Sequence, residues 1–337
     1  MIAPLAEILS SHKRHVLNFP VHTGHFLIGC SCTTFRGRLV ASAWANDHIY
    51  VPTKARYENY VAPPGTPVRP GYVNSDRPPY LVQLHDDMSI ESVEDIVIAP
   101  SLNGDMEGIR TNRGGFDGLK PFEWRGQLWC DFYAGGYGSV TFFLARLDGA
   151  TLRDGRRLTV AGPRRDEKNW MPEVIGDELR YHYKVGILAN LLQDMGTPQF
   201  HNLHGGTQVV PFDGGGLAVV HDFHYEGAGR VYRHYFVKFD ADGKPVALSR
   251  AFCLTDVERV EVVTGLARHN GNLIVSNGPV LDVVSEDEFR AHMPWDGVPQ
   301  PAVPPRKPPY TPPRIRVHPP LRPGVVRVPT FSRGIKA

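Results

Sequence analysis

The sequence predicts an all-β chain: a five-bladed β-propeller over residues 1–297 with a short N-terminal helix, followed by an extended proline-rich basic tail over residues 298–337. Three observations predict it. Glycine (34) and proline (30) are spread along all 337 residues as turn punctuation, which rules out long helical bundles. Tracts such as Leu217-Ala218-Val219-Val220 and Leu273-Ile274-Val275-Ser276 are β-rich and too short for helices. One pattern also recurs five times: a polar turn containing Gly or Asn, then a leucine opening an apolar strand.

The elements follow in order. Ile2, Leu5, Ile8 and Leu9 suit an amphipathic helix within Met1–Asn18, with no basic stretch ahead of an apolar run as a signal peptide would have. The five turns lead into Leu39, Leu128, Leu179, Leu217 and Leu273. Gly, Asn and Asp in these turns tolerate the positive φ that a tight hairpin demands. Before each turn lies a strand that begins polar or small and ends apolar: 30–35, 116–122, 167–172, 204–210 and 261–266. Such strands suit the centre of a propeller, leading residues toward the axis and later ones packed between blades. Radial repetition also protects sheet edges.

Composition excludes several classes. Hydrophobic residues are 42% and charged residues 21%, enough for a packed core. No run approaches the ~18–20 apolar residues of a membrane helix. The 4 cysteines make no disulfide framework, so a soluble cytoplasmic protein is expected. The net charge of +2 hides a division: eight basic residues and no acid follow Asp296, while the preceding residues carry 29 basic against 35 acidic. With 12 prolines, that tail suits an extended path over the exterior, either as a solvated strap or as a contact for an acidic partner. Its aromatics, Tyr310 and Phe331, give little support for nucleic-acid binding.

If five leading strands meet at an axis, their first side chains share one pocket. Asp117 and Lys120 come from the second, Glu167, Lys168, Asn169 and Trp170 from the third, His204, Thr207 and Gln208 from the fourth, and Glu261 from the fifth. Arg56, Asn59 and Tyr60 offer a further charged and aromatic cluster, and His221, Asp222 and Asp282 lie on following strands. Carbohydrate sites need this mixture, because hydroxyls pair with amides and carboxylates while the apolar faces of sugar rings lie on aromatic rings. Asp117, Glu167 and Glu261 are the candidate catalytic carboxylates, since glycosyl transfer with inversion needs a proton donor at the leaving oxygen. Strand alternation puts positions 117 and 120 on opposite faces, leaving Asp117 free to face the pocket. Each residue also has a plain alternative: Asp117 an Asx turn before Gly118, Glu167-Lys168 an exposed pair, Trp170 core, Glu261 a strand end, Asp222 a loop anchor. Where phosphate is the acceptor, Lys120, Lys168, Arg56 and His204 can form a cationic cradle.

Other chemistries fit poorly. His201 and His204, like His221 and His224, would point to opposite strand faces, Cys30 and Cys32 lack a second cysteine pair, and no nucleotide loop or nucleophile elbow occurs. Neither metal nor cofactor is expected.

The order Arg-x-x-Asn-Tyr (56–60), acidic-x-x-basic (117–120), Glu-Lys-Asn-Trp-x-Pro (167–172), Gly-Gly-Thr-Gln (205–208), Val-Val-His-Asp (219–222) and Glu-x-x-x-Gly-Leu (261–266) resembles bacterial five-bladed propellers related to the inverting β-mannoside phosphorylases and β-1,2-mannosyltransferases. The resemblance spans most of residues 26–285. It implies a sugar-binding funnel and transfer of a glycosyl group to phosphate, another sugar or water. In such proteins the second motif usually reads Glu-Asp-x-Arg, the aspartate being a candidate acid. Here it is Asp117-Gly118-Leu119-Lys120, and His204 stands where arginine is usual. Lysine and histidine do not reproduce the guanidinium fork. The other readings are therefore a glycan-binding propeller that has lost its acid, and a protein-interaction platform.

Overall fold

The computed structural model describes residues 2–22, 26–46, 48–51, 56–59, 68–69, 79–99, 116–134, 141–159, 169–182, 203–226, 229–255, 261–297 and 316–317. They are almost wholly β, with short helices at Leu5–Ile8 and Glu286–His292.

The five turns set the architecture. Arg36-Gly37, Arg125-Gly126, Asp213-Gly214 and Asn270-Gly271 each hold two consecutive φ angles between +48° and +80°. Two positive φ angles in a two-residue loop are the type I′ geometry, whose twist matches that of the strands it joins. The remaining turn has Gly176 at φ +58° in its first position, between the paired Ile175 and Glu178.

Each turn joins a leading strand to a second strand, and these hairpins begin five sheets. Sheet 1 comprises Phe26–Phe35, Arg38–Asn46, Tyr80–Leu84 and Ile90–Asp95. Sheet 2 comprises Phe116–Trp124, Gln127–Ala134, Thr141–Asp148 and Thr151–Thr159. Sheet 3 is described as the hairpin Met171–Ile175 and Glu178–His182. In sheet 4, His204–Gly205 and Val210–Phe212 both pair with Gly215–Glu226, followed by Gly229–Phe239 and Pro245–Ser249. Sheet 5 comprises Val263–His269, Asn272–Asn277 and Val280–Ser285. These antiparallel sheets, four of them with at least four strands once Lys13–Val16 joins sheet 5, are consistent with propeller blades.

The second strands alternate between two apolar spaces. Leu217 and Val219 pack with Leu266, Leu273 and Val275 of sheet 5. Ala218 and Val220 pack with Met171 of sheet 3. In sheet 2, Leu128, Cys130 and Phe132 face Val40 and Leu81 of sheet 1, while Trp129 joins Trp170 and Tyr181 at sheet 3. Ile274 of sheet 5 packs with Cys30, Leu39 and Val82 of sheet 1. A strand buried on both faces reads as a continuous apolar run, as Leu217–Val220 does.

The N-terminus departs from the sequence expectation. Helix is confined to Leu5–Ile8, with Leu5 and Leu9 buried, while Lys13–Val16 is a strand paired antiparallel with Val280–Ser285. Pairing here satisfies the open edge of sheet 5 and brings His12 and Arg14 to the buried Asp282, and this tertiary pairing prevails over a local helix. The tail lies outside the described residues except for Arg316–Val317, which pairs with Leu158 and Thr159 on the outer edge of sheet 2. No helix among the described residues is long and apolar enough to cross a membrane.

Candidate functional site

The leading ends of the sheets share one irregularity. Pairing slips between Leu27 and Gly29, between Asp117 and Lys120, and between Val263 and Gly265. In sheet 4 it lapses between Gly205 and Val210. At sheet 3 the strand is preceded by Asn169, held at φ +77°. Bulges of this kind bend a strand and re-aim its side chains, and they gather at functional sites.

The bulge in sheet 2 corrects one expectation. Position 117 stands opposite Tyr133 and position 120 opposite Asp131, two residues apart on the partner strand. The extra residue therefore brings positions 117 and 120 to the same face. Gly118, at φ +68°, makes the slip possible.

Hydrogen bonds link the leading ends from sheet to sheet. Ser42 Oγ of sheet 1 donates to the Leu119 carbonyl of sheet 2, and Lys120 Nζ donates to the Trp170 carbonyl at 2.8 Å. The Val209 amide donates to the Pro172 carbonyl at 2.8 Å. Gln208 Nε2 donates to the carbonyls of Leu266 in sheet 5 and Cys32 in sheet 1, at 2.7 and 2.6 Å. Thr264 Oγ1 donates to the Cys30 carbonyl. Both amide hydrogens of Gln208 are thus committed to the framework, and Thr207 Oγ1 caps the Val219 amide and donates to the Gln208 carbonyl.

The other expected residues divide between mouth and framework. Asn169 meets sheet 4 directly, since a Cβ at Gly205 would stand 2.2 Å from its carbonyl oxygen. Trp170 instead is buried in the aromatic cluster between sheets 2 and 3, against Phe142 and Tyr181. His204 and His221 are cross-strand partners with stacked rings 5.7 Å apart. Burial, then the nearby His234, His204 and Lys120, push His221 well below the usual imidazole range, so it is neutral at pH 7. Asp222 accepts a two-pronged hydrogen bond from Arg233 at 3.0 and 3.1 Å. Glu261 accepts from the amides of Leu254 and Thr255 at 2.9 and 2.7 Å, and its Oε2 lies 3.7 Å from His234 Nε2. Burial raises its pKa, but the nearby His234 imidazole and hydrogen bonds from Thr255 and the Leu254 amide outweigh that and hold it below the usual carboxylate range. Asp282 is fully buried on the third strand of sheet 5, with His12 Nε2 and Arg14 Nε each 2.8 Å from its Oδ1. Its carboxylate thus fastens the N-terminal strand.

Asp117, Arg56 and Asn59 are described by their backbone, the last two on a strand paired with His48–Val51. Glu167, Lys168 and Tyr60 lie outside the described residues.

Several residues at this end were not anticipated. Asp131, 1% exposed, faces Lys120 across the strand pair, and neither carboxyl oxygen has a hydrogen-bond partner among the described residues. Burial pushes its pKa up to about 7 against the pull of Lys120, while burial lowers Lys120 in turn. Tyr133, Arg233 and His234 also stand here. For Asp131 and Tyr133 the signal available in the sequence was their place on a second strand, opposite the leading-strand candidates Lys120 and Asp117. For Arg233 and His234 it was their place on a third strand, opposite Asp222 and His221. Among the described residues no three His, Cys, Asp or Glu side chains form a metal-binding group.

The framework at this end is intolerant of added atoms. A Cβ at Gly206 would stand 2.8 Å from the Val219 carbonyl oxygen and 2.9 Å from that of Val263. Both neighbours are backbone in different sheets, so Gly206→Ala is expected to cost about 1–3 kcal/mol. Urea unfolding measures it, and an unchanged midpoint would contradict this packing.

No family model matches the chain, and no curated protein matches it. Among solved structures, a β-1,2-mannobiose phosphorylase from Listeria innocua, in complex with β-1,2-mannobiose, aligns at 10% identity and TM-score 0.48, over 84% of this chain and 99% of that one. Drosophila Plexin A in complex with Semaphorin 1b aligns at 8% identity and TM-score 0.24, over 81% of this chain and 88% of that one. Drosophila Semaphorin 1b, extracellular domains 1–2, aligns at 8% identity and TM-score 0.23, over 82% and 88%.

Proposed function

We propose that the chain is a closed five-bladed propeller whose leading-strand mouth binds a saccharide and transfers its glycosyl group with inversion. Closure is supported by the contacts: apolar packing and hydrogen bonds link each sheet to the next, and Gln208 and Thr264 tie sheets 4 and 5 back to sheet 1. The observation that carries the functional reading is the recurrence of a bulge or break at the leading ends, where most of the motif residues lie. Amide, imidazole, carboxylate and aromatic groups meet there, and hydroxyl-rich ligands require that mixture.

In this reading Asp117 donates its proton to the glycosidic oxygen as that bond to the anomeric carbon breaks. An acceptor oxygen forms the new bond from the opposite face. Phosphate attacks as an anion, whereas a sugar or water must lose a proton to a base, a role open to Glu167. His204 places a polar ring nearby, Lys120 holds sheet 2 to sheet 3 behind it, and Arg56 and Lys168 are the candidates for a cationic acceptor site. Glu261, bound by the Leu254 and Thr255 amides and held below the usual carboxylate range, is in this reading the reserve candidate rather than the first choice for the proton donor.

One observation favours a second reading, glycan binding without turnover. Gly118 stands where the resembled motif carries a carboxylate, and the Tyr133 ring occupies the space beside it. Calorimetry and product analysis with β-linked mannobioses, glycosyl phosphates and nucleotide sugars, with and without inorganic phosphate, separate the two. Binding with an inverted product supports transfer, binding alone supports the second reading, and absence of both defeats each.

A further inference from the structure

Residue 118 has no room for a side chain. A Cβ there would stand 2.6 Å from Tyr133 Cε1, 3.3 Å from Cδ1 and 3.5 Å from Cζ. The phenol ring therefore lies against the backbone of the bulge, seated by the absence of a side chain. Phe142 supports it from the next strand, with centroids 5.8 Å apart and planes tilted by 43°. Below it lie Trp170 and Tyr181 in one aromatic cluster, with Tyr133 at its partly exposed margin.

The same device occurs in sheet 1. Gly29 pairs with Trp44 beside the register slip, and a Cβ at Gly29 would stand 2.2 Å from the indole ring. Trp44 is 7% exposed, so its ring is consumed by packing. Tyr133 remains partly accessible at the mouth, directly opposite position 117 in register.

We propose that Tyr133, seated on Gly118, is a stacking platform for a sugar ring, an inference that rests on the saccharide reading and adds a contact residue to it. The C–H face of a pyranose lies on an aromatic ring through dispersion and desolvation, which hydroxyl partners alone do not supply. Directly opposed positions in a strand pair have Cβ atoms roughly 4.5–5.5 Å apart. One ring held on Tyr133 would thus present its substituents within reach of Asp117. The glycine that removes a carboxylate at position 118 is the same residue that makes the platform possible.

The test is calorimetric titration of the full chain with β-linked mannobiose. Tyr133→Ala is expected to weaken binding roughly 3- to 10-fold, the worth of a ring contact. Tyr133→Phe keeps the ring face and stays within about 2-fold. Gly118→Ala, which drives the ring from its seat, should follow Tyr133→Ala. Circular dichroism monitors folding, and Tyr133→Leu substitutes where the alanine variant unfolds. Wild-type affinity in a folded Tyr133→Ala or Tyr133→Leu protein overturns the platform while leaving the saccharide reading intact. An equal loss in Tyr133→Phe also overturns it, assigning the contact to the hydroxyl. If mannobiose and the wider sugar panel all fail to bind the wild type, the saccharide reading falls and the platform with it.

Discussion

Lys120→Met is expected to destabilise the fold by about 3–5 kcal/mol at pH 8 and by much less at pH 5. Lys120 and Asp131 are 5% and 1% exposed and stand opposite each other in sheet 2, one ammonium against one carboxyl in an aromatic surround. Removing the ammonium also removes the hydrogen bond to the Trp170 carbonyl that joins sheet 2 to sheet 3. The larger effect comes from Asp131. Its pKa is already raised from 3.8 to about 7 by burial, so the folded chain holds that proton more tightly than the unfolded chain. The carboxyl's contribution to stability therefore falls as pH rises from the unfolded value through about 7. Without Lys120 the folded pKa rises further, and at pH 8 folding must either bury an unpaired charge or take up a proton. At pH 5 the carboxyl is already neutral. The double variant Lys120→Met/Asp131→Leu removes both charges and should equal or exceed wild-type stability, with this pH dependence gone. Urea unfolding of all three proteins from pH 5 to pH 8 decides the matter. A wild-type-minus-variant difference that stays constant over that range would contradict the pairing.

Asp117→Asn is expected to lower turnover by roughly 10²–10⁴-fold on whichever glycoside the screen identifies, the effect of deleting a general acid. Ligand affinity should change far less, because asparagine keeps the shape and part of the hydrogen bonding but delivers no proton. Glu261→Gln provides the contrast. Its carboxylate is occupied by Leu254 and Thr255, so the change should loosen that loop without imitating the loss at position 117. Full turnover in Asp117→Asn would move the acid elsewhere, with Glu167 next to test.

The hairpins were legible because a two-residue turn with positive φ leaves few choices of residue, and the chain repeats such a turn. The leucines after the turns were legible in part for the same reason: Leu39, Leu128 and Leu273 are buried at the second position after their turns, and Leu179 is partly buried there. Leu217 is buried one residue later and faces the following sheet, Gly216 holding the matching position. Facing was not legible where pairing slips. Alternation separates positions 117 and 120, and a single extra residue at Gly118 reunites them. Asp131 was missed because it is an isolated acid among Trp129, Cys130, Phe132 and Tyr133, and its meaning depends on a lysine from the facing strand. The roles of Asp282 and Gln208 depend on partners far along the chain, His12 and Arg14 for one, Cys32 and Leu266 for the other. Periodicity carries no information at such separations.

The strand Lys13–Val16 is synthesised long before its partner, which runs from Val280 to Val283. On the ribosome it has no partner until almost the whole of the β structure has emerged, so sheet 5 must be completed late. A contact at this sequence separation is entropically expensive to form and slows folding. During that interval the strand's positive charge and exposed backbone invite other partners, including sheet edges of neighbouring nascent chains. Moving residues 1–17 behind residue 297 in a circular permutant would turn the last pairing into a local one, so faster refolding at similar final stability is the kinetic signature of this closure.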